Sequence, residues 1–218
     1  MKEYLDKINP KLKNYIENKI FPEYSKNERA HDINHIYYVI RRCFELIKQN
    51  DLKVNFDMIF TIASYHDIGH FINPKEHEII SADMMYKDEK LKEYFSPEER
   101  LIIKEAIEDH RASAKSEPRS IYGKIVSSAD RNNTVEQCLE RSYYYGKRLE
   151  PNATEMELHK RAFYHLNKKF GENGYAKFFL KDAEYERFLL EIRKILKDEN
   201  EFCKMQADYI KMLENKTE

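Results

Sequence analysis

The chain has 218 residues, 35% of them charged and 41% hydrophobic, with 38 Lys plus Arg against 39 Asp plus Glu and a formal net charge of -1. That length predicts a single domain with room for an appended lobe and ample material for a core. The balanced charge excludes a global positive field that would hold DNA or RNA nonspecifically, while leaving a local basic patch open.

No run approaches the ~20 apolar residues that a bilayer span needs. No apolar stretch follows Met1-Lys2-Glu3, so no signal peptide is expected and the expected location is cytoplasmic. Cys43, Cys138 and Cys203 are far apart and lack CxxC spacing. They read as buried free thiols in a reducing compartment rather than a disulfide framework.

Only 5 Gly and 6 Pro occur, and apolar residues recur every three or four positions, which predicts an all-α fold. Residues 3–20 read as an amphipathic helix that ends before Pro22. Ile36, Val39, Ile40, Cys43, Phe44 and Ile47 form one helical stripe, with His35 one turn before Val39 and His31 one turn before His35. Phe56, Ile59, Phe60 and Ala63 lead a second helix into His66-Asp67, where Gly69 permits a stop. After Asn73-Pro74, a third helix carries His77, Ile80, Ser81 and Met84. Ser96-Pro97-Glu98-Glu99 is a helix start, with Ser as N-cap and acids in the first turn. That helix is expected to run through Ile103, Ala106, Ile107 and His110. Tyr122, Val126, Ala129 and Asp130 make the next stripe.

Beyond about residue 135, Val135, Cys138, Leu139, Ser142 and Tyr143 continue into a helix that ends near Gly146. Pro151 to Thr154 breaks it and caps another, holding Phe163, Leu166 and Phe170. Gly171 to Gly174 is a turn. One last helix is expected to carry Phe188, Leu189, Ile192, Leu196, Phe202 and Ile210. The organisation expected is one domain over 1–218, its core at about 28–135 and a helical extension at 136–218 packed on that core.

His31, His35, His66, His70, His77 and His110 fall in roughly the first half of the chain, each near a carboxylate or on a helical stretch. Neutral imidazole and ionised carboxylate suit Mn, Fe, Zn or Mg, so the set reads as a metal site inside a helical bundle. Neighbouring ligands such as His66 and Asp67 reach one ion only at a helix end or irregularity. A lone histidine on an apolar helix face is more often a satisfied core group, and that plainer reading stands beside His77 and His110.

The ordered set His35, His66-Asp67, Asp130, with His31-Asp32-x-x-His35, His66-Asp67-Ile68-Gly69 and Ser128-Ala129-Asp130-Arg131 around it, resembles the HD-domain metal-dependent phosphohydrolase superfamily over roughly residues 28–135. The resemblance implies an HD-type helical bundle in which His35, His66, Asp67 and Asp130 hold a divalent ion. It also implies a second-metal pair, His77 and His110, with Asp67 bridging. The ion would be Mn, Fe, Mg, Ni or Zn, one or two per chain. The implied activity is cleavage of a phosphate mono- or diester by metal-activated water, with a nucleotide as the expected small-molecule partner. Asp67 or His110 would relay the proton.

His31 is then a group supporting the ligands or receiving substrate phosphate, or else a surface histidine. His70 is a candidate for orienting a ligand through a carboxylate. Arg111, Arg131 and, more weakly, Lys124 are candidates for phosphate binding, because guanidinium suits oxyanions. Lys115 and Arg119 are candidates for the rim. The plainer reading of each is a solvated charge. His159 and His165 lack ligand spacing, and Tyr143 to Tyr145 read as packing groups before base-stacking ones.

Two further readings stay open. The same six ligands serve di-iron oxygenases that resemble myo-inositol oxygenase, and a decayed scaffold would be a non-catalytic nucleotide-binding module. The text after Asp130-Arg131 is Asn132-Asn133-Thr134-Val135, which departs from relatives that begin with His-Asp-x-x-His. No stable nucleic-acid or membrane partner is expected, and oligomerisation is left open.

Overall fold

In the computed structural model the described residues are 6–27, 31–111, 113–114, 116–131, 134–176 and 179–215. Among them every regular element is a helix. The elements are α1 (Pro10–Lys19), a 3-10 turn (Phe21–Lys26), α2 (Ile33–Gln49), α3 (Phe56–Tyr65), α4 (His77–Lys87), a second 3-10 turn (Glu89–Glu93), α5 (Pro97–Glu108), α6 (Ile121–Ala129), α7 (Val135–Leu149), α8 (Glu155–Phe170), α9 (Ala183–Ile195) and α10 (Glu199–Glu214). The all-α expectation holds. The chain divides into two compact units, one of Met1–Asn132 with Phe178–Lys181 and one of Asn133–Lys177 with Asp182–Glu218.

The helix ends follow side-chain chemistry. Asp32 accepts hydrogen bonds from the Asn34 and His35 N–H groups and starts α2, while Asn55 does the same for α3 through Asp57 and Met58. Ser96 and Glu99 close a capping box on α5, as Thr154 and Glu157 do on α8. Each such cap stabilises its helix by about 1 kcal/mol.

Three boundaries differ from the sequence expectation. The first helix begins at Pro10, because Asn9 caps Lys11 and Leu12 and supplies the start signal. α5 stops at Glu108, with Asp109 as its cap. His110 therefore lies beyond the helix, with its ring Nδ1 turned back onto the Ile107 carbonyl at 2.6 Å. The expected last helix is two helices, because Asp198 accepts from Asn200 and Glu201 and restarts the chain as α10.

In the first unit α2, α3, α5 and α6 pack on one another, and α4 packs on α5 and α3. Their shared core holds Ile36, Val39, Leu46, Ile59, Ile62, Ile103, Ile107 and Val126, all buried. Burying each such side chain contributes roughly 1.5–3 kcal/mol. α3 carries no exposed position from Met58 to Tyr65, so the turn at its end is anchored at the centre of this unit. In the second unit α8 packs on α7, α9 and α10 around Leu166, Phe170, Ile192 and Phe202. All three cysteines are buried thiols outside any disulfide.

Candidate metal centre

α3 ends at Tyr65, and His66 is its cap, its N–H still bonded to the Ile62 carbonyl. The chain then turns tightly, with the Ile68 N–H on the Tyr65 carbonyl and the His70 N–H on the Asp67 carbonyl. That irregularity is what lets adjacent residues aim at one point. Gly69 is required by the close approach of α4. A Cβ there would lie 2.6 Å from Ile80 Cγ2, and the Gly69 N–H donates to Ser81 Oγ at 2.9 Å.

Backbone carbonyls set the imidazole tautomers. A carbonyl only accepts, so an Nδ1 bonded to one carries a proton. His66 Nδ1 donates to Ala63 O at 2.9 Å, His77 Nδ1 to Pro74 O at 3.0 Å and His110 Nδ1 to Ile107 O at 2.6 Å. In the neutral ring each Nε2 then presents a lone pair inward, the arrangement that suits a metal ligand.

Those nitrogens converge on Asp67. Its Oδ2 lies 3.4 Å from His66 Nε2 and 3.5 Å from His35 Nε2. Its Oδ1 lies 3.2 Å from His77 Nε2 and 3.5 Å from His110 Nε2. Asp130, the cap of α6, brings Oδ1 to 3.0 Å from His35 Nε2. The ligand atoms of His35, His66, Asp67 and Asp130 all lie within 4.8 Å of one another, as do those of Asp67, His77 and His110.

The arrangement fits cations. His77 Nε2 and His110 Nε2 face each other at 3.1 Å, and two lone pairs so placed repel unless a proton or a cation lies between them. Asp67 Oδ1 is buried with no hydrogen-bond partner, although His77 Nε2 is close, because the neutral ring carries its one proton on Nδ1, where it is donated to the Pro74 carbonyl. A buried carboxylate oxygen left in that way costs free energy unless a positive centre meets it.

The electrostatics agree. Burial pulls the His66 and His35 pKa values down, but the Asp67 and Asp130 carboxylates outweigh it and hold both above the ordinary value. His77 is likewise raised, with Asp67 outweighing burial. Burial raises Asp67 and Asp130, and the surrounding imidazoles reverse this, leaving both well below the usual carboxylate range. Protons and metal therefore compete for the same nitrogens. As pH falls, the raised histidines protonate earlier than free histidine would, while the carboxylates stay ionised. Metal affinity is expected to weaken progressively as pH drops from above the ordinary histidine range, about 6.5. A titration of Mn²⁺ affinity between pH 8 and 6 checks this, and a flat profile would contradict it.

Several other candidates stand close by. His31 Nδ1 lies 2.7 Å from Asp67 Oδ2, and the His31 ring stacks on His70 at 3.8 Å between centroids. Arg111, read from sequence as a catalytic phosphate-binding group, turns its guanidinium to the Lys75 carbonyl and, at 3.1 Å, to Glu78. Glu78 neutralises it beside the second ligand group. Lys124 pairs with Glu117 at 2.6 Å. Arg131 is buried, with its guanidinium 5.2 Å from the centroid of the Phe179 ring. Arg119 is engaged with Asp109 and Glu108. Lys115, Asn132 and Asn133 lie outside the described residues. His159 sits elsewhere, hydrogen-bonded to Gln206 inside the second unit, and His165 faces Tyr145 there.

Asn27 and Tyr24 had no signal in the sequence, since neither lies on a periodic stripe. Asn27 Nδ2 donates to the His31 and Asp67 carbonyls, each at 3.0 Å, and its Oδ1 accepts the Phe71 N–H. Tyr24 donates to the Ser64 carbonyl at 2.8 Å. Asn27 thus clips both sides of the His-Asp turn. Asn27→Ala is expected to lose about 1–3 kcal/mol of stability and roughly tenfold or more in metal affinity, the scale seen when ligand-supporting contacts are removed. Calorimetric melting and metal titration measure both, and unchanged metal affinity would show that the clip does not serve the ligands.

The geometry defines a helical bundle with two adjoining His/Asp ligand groups that share one carboxylate. Residues 32–133 match the family model of the HD domain, so this segment is an HD domain, of a superfamily whose members are in general metal-dependent phosphohydrolases. His35, His66, Asp67, His77, His110 and Asp130 all fall inside the match. Searches of curated proteins and of solved structures return no match. No helix among the described residues is long and apolar enough to cross a membrane.

Proposed function

We propose that this chain hydrolyses a phosphate mono- or diester at the centre built around Asp67, with a nucleotide as the best-fitting substrate class. The observation that carries the reading is the divided carboxylate: Asp67 Oδ2 meets His35 and His66, and Oδ1 meets His77 and His110.

His35, His66, Asp67 and Asp130 would hold one divalent ion, and Asp67, His77 and His110 a second. Ions held there supply an activated water and a Lewis acid toward a phosphoryl oxygen. The chain's own residues do the rest. Asp67 holds the two groups in register and, being buried, keeps the charge contacts strong. His31 fixes Asp67 through Nδ1, and its side chain, 30% exposed, is the one we assign to meet an incoming phosphate oxygen. His70, stacked on His31, limits the rotation of that ring. Arg111 reaches a phosphate only by exchanging it for Glu78, so Arg111 serves first to hold Glu78 against the second ligand group. His110 Nε2, 3.5 Å from Asp67 Oδ1, carries a proton only while no ion takes its lone pair, so with the second ion held it would serve as a ligand and not as a relay. The ordinary solvated role suits Lys124, given its pairing with Glu117.

The test is elemental analysis of the purified protein followed by a phosphate-release screen over nucleoside mono-, di- and triphosphates and cyclic nucleotides. Divalent metal with phosphate release supports the reading. Two irons with oxygen uptake and no phosphate release would replace it with an oxygenase. Ligand binding without turnover across the panel would replace it with a binding module.

A further inference from the structure

The second unit carries a cleft of about 230 Å³ between α7 and α8, and Arg141, Tyr145, His165 and Lys169 line it. Its apolar wall is Cys138, Leu166 and Phe170, and no carboxylate among the described residues lines it. Arg141 and Tyr145 are one turn apart on α7, and His165 and Lys169 are one turn apart on α8, so two short ridges face each other across the groove. On a chain of net charge -1 this is a local concentration of positive charge.

The field inside is positive as well. Burial first, then Lys169, Arg161 and Lys168, hold His165 below its ordinary pKa, with no carboxylate opposing them. Burial pushes the Cys138 thiol up to about 11, Lys169 and Arg141 pull it back, and Glu136 adds a smaller rise. Tyr145 does not offer its ring to a base. Arg148 and Arg161 lie 5.5 and 5.7 Å from its centroid. The space is below the ~300 Å³ at which pockets for drug-sized ligands begin, so it suits a phosphate chain better than a whole nucleotide. Guanidinium paired with ammonium is the donor set that matches phosphate oxygens.

The geometry points to a second, non-catalytic site in which Arg141, Lys169, His165 and Tyr145 bind the polyphosphate group of a small molecule. It involves none of the HD ligands and stands whether or not the proposed hydrolysis is correct.

Inorganic tripolyphosphate is the probe, titrated calorimetrically into the full chain without added metal. Three proteins are compared: the wild type, the Arg141→Glu/Lys169→Glu variant, and a Lys204→Glu/Lys211→Glu variant with the same change in net charge. Lys204 and Lys211 are exposed on α10, and thermal melting confirms that all three fold. The expected result is equal affinity for the wild type and the α10 variant, with at least tenfold weaker binding when Arg141 and Lys169 are reversed. A milder Arg141→Gln/Lys169→Gln pair stands in if charge reversal unfolds the unit. Equal binding by all three proteins would assign the signal to the HD centre or to nonspecific charge and overturn the site. So would the lack of any wild-type heat at millimolar probe. Binding of a short RNA with no response to tripolyphosphate would overturn it too.

Discussion

Asp67→Ala is expected to leave the chain without bound divalent metal and without measurable phosphate release. Asp67 is the one side chain shared by the two ligand groups, so its loss removes a ligand from each at once. It also leaves the inward lone pairs of His66, His77 and His110 facing one another with no carboxylate to balance a cation. Partners that merely support ligands are worth 10–100-fold in affinity, and a shared ligand is worth more, so the effect should exceed about 100-fold at each position. Asp67→Asn keeps the shape and the acceptor oxygen but removes the charge, and it separates coordination by charge from packing. Elemental analysis and phosphate release are the measurements, with melting curves to confirm folding. Full metal content in Asp67→Ala would place the ion elsewhere, and full turnover would remove the centre from catalysis.

His77→Ala and His66→Ala should separate the two halves. His77 belongs only to the group with His110, and His66 only to the group with His35 and Asp130. Removing His77 is expected to reduce a two-metal protein to one metal per chain and lower phosphate release by about 100-fold or more, because one of three ligands is gone. Removing His66 should empty the other position instead and cost similar activity. The readout is stoichiometry by elemental analysis at saturating Mn²⁺, with phosphate release in parallel. A wild-type protein that holds one metal, with His77→Ala unchanged in content, would leave His77 and His110 as a buried pair sharing a proton.

Most of the helical order was legible from sequence, because it rests on local rules. Spacing of Ile36, Val39, Ile40 and Cys43 marked α2, and Ser96-Pro97 with Glu99 marked the start of α5. The errors came where one polar side chain competes with continued periodicity. Asp198 breaks an apolar stripe that runs on either side of it, and Asp109 ends α5 one residue before His110. In the centre, the ligand residues were visible as chemistry in a familiar order. The supporting Asn27 was not, since its contacts reach 40 positions along the chain to Asp67 and 44 to Phe71.

The sequence by itself determined that this is an all-α chain with a His/Asp metal-binding pattern, because helix periodicity, caps and ligand types are properties of neighbouring residues. Only the tertiary structure decided that Asp67 divides its two oxygens between two groups of imidazoles, that Arg111 faces Glu78, and that His31 leans on Asp67. Those facts depend on where four helix ends meet, and the direction of a side chain at a helix end is set by contacts with other helices rather than by its own neighbours in the chain.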